Sequence, residues 1–595
     1  LTSSILALTN NLGTMMGIMV KYSDFYGQPA PVNAITLLSP IPKEELIATF
    51  AAINTRLNPL MTSHLDDSVD TQVECIRVAF LDNNNPLQHS TCLHVIRRYL
   101  HFPRGHNTLT RAPCLYAFHE VLAHENFAPE TPAYTFDIRE RIFKYLLIVN
   151  ERILLQNENF NDDDQEALGE NFFEYFAFKM LPFNQYNNTS NSINAWYKSK
   201  TLFDKIKDDD LFGSHLMHYL KQAFDIDDME EFFKRQIFTY YRSLDKKLQM
   251  LYINIRLDEI EQIKILDKFS ERQNTPLPAD NDMAIFDFLE LKKSPLYRNQ
   301  PEDGRELITY IVMDSDLFLE KTYALFVNDF WFDYLRPNNI CNRTDWGNFI
   351  GSVFFETFIE EIFQHSFQGH NRIVYKSTDE LKFQLPGQQE IEYADFYLRD
   401  GKNVIVSEAK SNYLPMVNGY KTVRTIADYQ ALNMERFYKD YGLTQLALKT
   451  VKLFHSYKTY INDNQIALAK PVKIFPLLIV NDPILSSGAI SFMFRRKFEQ
   501  VLKSNNIELI TLEHIIMPMA IVHISELQQM EQALADRKEN IFNLLRYYHS
   551  ITNPARIASE GTYIVLRTFE QVLGKHLKHN IIANRIRKMK NWIQE

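Results

Sequence analysis

The stretch 392–410, EYADFYLRDGKNVIVSEAK, sets acidic and basic residues into what otherwise reads as the interior of a sheet. Two strand-forming runs, Ile391–Leu398 and Asn403–Lys410, flank Arg399-Asp400-Gly401-Lys402, and Asp-Gly between such runs is a strong hairpin signal. With Asp400 and Gly401 at the turn centre, Asp395 lies opposite Val406. Alternation along the strand then places Val404, Val406, Glu408 and Lys410 on one face. Asp395 falls on that same face, diagonal to Glu408, with Cβ atoms about 7 Å apart. A slip of one residue would part them. No polar residue separates Val404 from Ser407, so the second strand reads as mostly buried, and charge buried without a partner or a metal is costly. Two carboxylates so placed can share a divalent cation through oxygen ligands, which Mg²⁺ prefers. The plainer alternative is Lys410 paired with a carboxylate on an exposed sheet face.

The rest of the chain bounds what this hairpin can belong to. A length of 595 residues gives room for roughly two to four domains with ample core. The net charge of −10 excludes a molecule that coats nucleic acid with its whole surface, although a local basic channel depends on how charge is distributed. With 43 Phe and 30 Tyr against 17 Gly, helix-rich packing is favoured over a glycine-turned all-β fold. Cys75, Cys92, Cys114 and Cys341 form no CxxC pair and suit neither a zinc ribbon nor a disulfide framework, so they read as buried thiols of a cytoplasmic protein. The early apolar segment SILALTNNLGTMMGIMV is broken by Asn10, Asn11 and Gly13 and is too interrupted to span a bilayer. No GxxxxGK[ST] occurs, so no P-loop NTPase is expected in this chain.

Residues 1–340 read as a mainly helical region, with the option of two subdomains. EELIATFAAINTRL, FDIRERIFKYLLIVNERILL and YYRSLDKKLQMLYINIRLDEIEQIKIL all carry apolar residues at helical spacing. From 341 to 525 the texture changes. The helix WGNFIGSVFFETFIEEIFQHSF precedes strand-like RIVYKST and KFQLP, then the hairpin, the helix-like LTQLALKTVKLFHSY and the apolar strand KIFPLLIV, an α/β alternation. The segment 526–595 returns to helix and ends in RTFEQVLGKHLKHNIIANRIRKMKNWIQE. There Lys575, Lys578, Arg585, Arg587, Lys588 and Lys590 are candidates for phosphate contacts, and a solvated amphipathic face is the alternative.

Glu356 in an apolar helix, Asp395, and then Glu408-Ala409-Lys410 resemble the PD-(D/E)xK, or restriction-endonuclease-like, nuclease superfamily over roughly 345–490. Ala394 departs from the pattern, standing where Pro is frequent in the motif. The resemblance implies an α/β restriction-endonuclease-like core, a mixed sheet flanked by helices in the order α-β-β-β-α-β. It also implies Mg²⁺ or Mn²⁺ at Asp395 and Glu408, with Glu356 as the helix carboxylate completing the metal set and Glu360, one turn on, as the alternative. Lys410 would orient the attacking water and the phosphate. Gln445 corresponds to a Gln found near the active centre in several branches, while Lys421, Arg424 and Lys449 are candidates to grip phosphate. The activity implied is metal-dependent cleavage of DNA by a prokaryotic restriction or anti-phage effector, with a separate NTPase or sensor subunit, a homo-oligomeric state as an option and no membrane. RNA as the substrate, and a degenerate nucleic-acid-binding or scaffold protein, stay open as alternatives.

Overall fold

The nine-residue run VKIFPLLIV at 472–480 is buried along most of its length, which requires strands on both edges and helices over both faces. The computed structural model describes residues 18–58, 65–81, 86–103, 106–130, 138–155, 166–179, 181, 192–235, 252–270, 288–299, 306–384, 390–414, 420–423, 425–450, 461–466, 471–554, 566–577 and 582–594. The chain divides into two units: one gathers 1–7, 162–185 and 341–588, the other 8–161, 186–340 and 589–595.

In chain order the first of these carries α1 (Phe172–Lys179), a π-helical turn (Phe349–Glu356) running into α2 (Thr357–Phe367), β1 (Ile373–Ser377), β2 (Phe396–Asp400) and β3 (Asn403–Lys410). There follow α3 (Met434–Asp440), a helical segment at 443–450, β4 (Val472–Val480), α4 (Gly488–Ser504), β5 (His514–Ile516), β6 (Ala520–His523), α5 (Ile524–Ala535), α6 (Ile541–Ile551) and α7 (Phe569–Leu577). The sheet runs β5-β4-β3-β2-β1, with β6 also paired to β4. β1, β2 and β3 are antiparallel neighbours, whereas β4 is parallel to β3, β5 and β6. A mixed α/β sheet flanked by helices is therefore present, as expected. One face packs Phe396 and Tyr375 edge-on against Phe363 of α2, at 5.4 and 5.9 Å, and Phe475 against Phe542 of α6 at 5.4 Å. Asp395, Val406, Glu408 and Leu478 alternate to the other face.

The hairpin differs from its expected register. Asp400 pairs with Asn403, so Gly401 and Lys402 form the turn, with Gly401 at φ +58° where a glycine is least strained. One step beyond the last pair, Ser407 with Phe396, Asp395 comes directly opposite Glu408 rather than diagonal to it. The partner has moved by two positions, an even number, so the shared face survives. The run read as a strand from 391 also breaks. Glu390–Glu392 pairs with Lys382–Gln384 in a separate two-stranded sheet, and Tyr393 donates its backbone N–H to Leu381 at 3.1 Å before β2 begins. The described residues of KFQLP, Lys382–Gln384, accordingly belong to that separate sheet and not to the main one.

The other unit contains the helices Lys43–Leu57 and Ile138–Leu155 where periodicity placed them. YINIR, read as part of a long helix, is instead a strand (Tyr252–Arg256) in an antiparallel sheet with Leu296–Asn299 and Leu307–Val312. Its alternation, Ile253 and Ile255 inward with their neighbours outward, is the strand signal that the surrounding helical run concealed. A buried Arg111 holds both carboxylate oxygens of Asp314 at 2.8 Å, and Asn54 donates to the same Asp314 at 2.8 Å. This charge is fully paired, as burial demands. Cys75, Cys92 and Cys114 are buried and Cys341 is half-buried, and none of the four is in a disulfide. Among the described residues no helix is long and apolar enough to cross a membrane.

Candidate functional site: a lysine-bridged carboxylate pair

β3 is the central strand, so Glu408 is 2% exposed, and Asp395, at the entrance to β2, is 3% exposed. Asp395 Oδ2 accepts the backbone N–H of Ala409 at 2.6 Å, which locks its carboxylate against β3. Thr378 Oγ1 donates to the Asp395 carbonyl at 3.0 Å and fixes the backbone from the other edge. Lys410 Nζ donates to Glu408 Oε1 at 2.7 Å. The remaining two carboxylate oxygens converge on Lys449 Nζ, which lies 3.1 Å from Asp395 Oδ1 and is also bonded to Glu408 Oε2. Lys449 arrives from the helical segment 443–450, anchored where Tyr393 donates its hydroxyl to the Lys449 carbonyl at 3.0 Å.

Gly442 lets that segment come so close. Its φ is +80°, and a Cβ there would lie 2.8 Å from Lys410 Cε, 3.1 Å from Glu408 Cγ and 3.1 Å from Leu478 Cδ1. It follows α3, where a glycine just past a helix end is a recognisable stop signal. Sequence reasoning passed over it, and passed over Glu392, whose Oε1 lies 4.0 Å from Lys449 Nζ.

The electrostatics follow from crowding acids in a dry place. Burial, then Asp395 and Glu392, push the Glu356 carboxyl up to about 7. Glu392 stands at the rim of this cluster with its side chain 42% exposed, and the part shielded from water, then Asp395, raise its carboxyl to about 7 as well. The Glu408 carboxyl is raised by burial and by Asp395, against the pull of its lysines. Burial alone would lower the Lys449 ammonium, but Asp395 and Glu408 outweigh it and hold it charged.

The expected residues therefore separate. Asp395, Glu408 and Lys410 are together, with Glu356 within their field. Glu360 instead accepts from Gln364 at 3.0 Å on its own helix. Lys449 is inside the cluster rather than on an open phosphate-binding surface, because two buried carboxylates claim its charge. Gln445, one turn earlier, is exposed and makes no hydrogen bond to Asp395 or Glu408. Lys421 is buried in the 3-10 turn Tyr420–Thr422, and Arg424 lies outside the described residues. At the C-terminal end, Arg585 is bound by Glu531, which also pairs with His365 Nδ1 at 2.9 Å, so that arginine is spent within the protein. Arg587 and Lys588 are exposed and Lys590 is half-buried, while the side chains of Lys575 and Lys578 lie outside the described ones.

Among the described residues no three His, Cys, Asp or Glu side chains are drawn into a ready metal cage. The donor chemistry nonetheless fits a hard cation: two buried carboxylates on neighbouring strands already share one positive centre, the Lys449 ammonium. Asp395 and Glu408 would hold such an ion. Comparison of the chain with protein-family models, curated proteins and solved structures finds no match.

Proposed function

We propose that the sheet-bearing unit hydrolyses phosphodiester bonds of nucleic acid, DNA foremost, with Mg²⁺ or Mn²⁺ held by Asp395 and Glu408. The observation that carries this reading is the pair of buried carboxylates facing one another across β2 and β3 with Lys410 beside them. The succession of helix, three antiparallel strands, helical segment and parallel strand supports it, being the order implied by the PD-(D/E)xK resemblance. A bound divalent cation would acidify water and offset charge growing on the phosphoryl oxygens. Lys410 would orient water and phosphate from the end of β3, and Glu356, with its carboxyl near 7, is suited to accept or return a proton at neutral pH. In a restriction or defence setting, sensing or translocation falls to a separate NTPase subunit, which co-purification from the native host would reveal.

Plasmid DNA incubated with the purified protein and Mg²⁺ tests the reading. Cleavage is expected to stop with EDTA and to fall by roughly 10²-fold or more in Lys410→Ala and Asp395→Ala, the scale of a lost acid–base or charge-stabilising group. Unchanged cleavage in either variant removes the assignment, and cleavage confined to RNA moves the substrate class. A second reading has its own observation: Lys410 and Lys449 already satisfy both carboxylates, as in a structural ion cluster of a scaffold. Absence of Mn²⁺ binding by calorimetry would favour that scaffold.

A further inference from the structure

We infer that Lys449 is a built-in occupant of the cation position between Asp395 and Glu408, and that it must swing to Glu392 before a divalent ion can bind there. The inference rests on the metal pair of the reading above and adds a device that controls its loading. Lys449 Nζ touches one oxygen of each carboxylate, so the ammonium stands where an ion bridging Asp395 and Glu408 would stand. Two cations cannot share that place. The other two oxygens are engaged by the Ala409 N–H and by Lys410, and neither neighbour bridges the pair. The route out is short. Glu392 Oε1 lies 4.0 Å from Lys449 Nζ and its side chain is 42% exposed, against 5% for Asp395 and 3% for Glu408. A long lysine side chain can turn from two buried acceptors to one at the solvent edge without moving its helix, which Tyr393 pins through the Lys449 carbonyl.

Occupancy by the lysine weakens metal binding by the fraction of molecules in which the position is free. Removing the lysine should therefore tighten binding, and removing its landing site should loosen it. Mn²⁺ titrated calorimetrically into the full chain, without nucleic acid, reads this directly. Lys449→Met is expected to lower the Mn²⁺ Kd by about tenfold, as freeing a position occupied nine times in ten would do. Glu392→Gln is expected to raise the Kd several-fold in the wild-type background and to have no effect in Lys449→Met. Lys449→Met or Glu392→Gln with the wild-type Kd overturns the inference, as does a lysine variant that binds Mn²⁺ more weakly. Should Lys449→Met fail to fold, Lys449→Gln, which removes the charge and keeps a polar side chain between the two carboxylates, takes its place in both measurements. Failure of the nuclease reading is separable: a chain that shows these Mn²⁺ affinities yet leaves DNA and RNA intact keeps the lysine switch and loses the phosphodiesterase.

Discussion

Glu356 and Glu392 are two carboxyls that titrate near neutrality because burial and neighbouring acids oppose their ionisation. For Glu356 the consequence for stability has a definite sign. An unfolded glutamate ionises near 4.5, whereas the folded one keeps its proton to about 7, so the folded state binds the extra proton in between. The stability this group confers is full below about 4.5 and is lost as pH rises towards 7. Glu356→Gln, always neutral, should lack that decline. In EDTA the variant should gain on the wild type in urea midpoint between pH 5 and pH 8, and a difference that stays constant across that range would contradict it. At this scale the sequence was informative about Asp395, Glu408 and Lys410, because alternation and an Asp-Gly turn restrict which residues can meet. It was uninformative about Lys449, because nothing local says which buried anion, dozens of residues earlier, a helix lysine will reach.

The apolar helix at 346–367 contains its own irregularity in plain view. Its buried residues come in pairs, Phe349 and Ile350, then Phe354 and Phe355, then Phe358 and Ile359, then Ile362 and Phe363. The first step is five residues and the later ones four, which matches a π-helical turn followed by an α-helix. Read at a single period, the run passes for one uniform helix. The junction between α3 and the 443–450 segment is a second place where one residue sets an element's path. Gly442 has a left-handed φ and no room for a Cβ, while Gly401 has a left-handed φ and open space around it. Ala at Gly401 should cost only the backbone term, about 1 kcal/mol. Ala at Gly442 adds a collision with Lys410 and Glu408, so its loss in urea-unfolding free energy should be larger, on the order of 2–3 kcal/mol. Equal losses at the two glycines would mean that the approach of this segment to Lys410 is not what Gly442 provides. The broken strand at 391–395 was not legible, since its pairing with Lys382–Gln384 competes with the sheet through backbone bonds that side-chain pattern does not encode.

At the scale of the whole chain, the sheet-bearing unit is discontinuous: 162–185 belongs with 341–588. α1 lies within the described part of that early segment, 166–179 and 181. Its Glu174 accepts hydrogen bonds from Tyr429 at 2.8 Å and Tyr438 at 2.6 Å, Phe178 packs on Tyr420 and Phe437, and Phe173 packs on Phe492. Change of texture near 341 exposed the start of the α/β region, but an aromatic helix such as NFFEYFAFK looks like any other core helix, and nothing in its composition names the unit it will join. A fragment limited to 341–588 should leave that aromatic surface bare and melt below the same unit in the full chain. A peptide of residues 166–181 added in trans should raise its melting temperature, and a peptide in which Phe173 and Phe178 are Ala should not. Identical melting with and without α1 would show that the unit closes on itself.

The same discontinuity is also a schedule. Phe178 leaves the ribosome about 260 residues before Phe437, the ring it packs against at 5.0 Å. At roughly 5–20 residues per second, that is on the order of 13–50 s during which α1 has been made and its partners have not. Four phenylalanines in eight residues wait through that interval without the surface they are built to meet. Until α3 and α4 emerge, α1 is open to other hydrophobic partners, and slower elongation after residue 341 would lengthen that exposure.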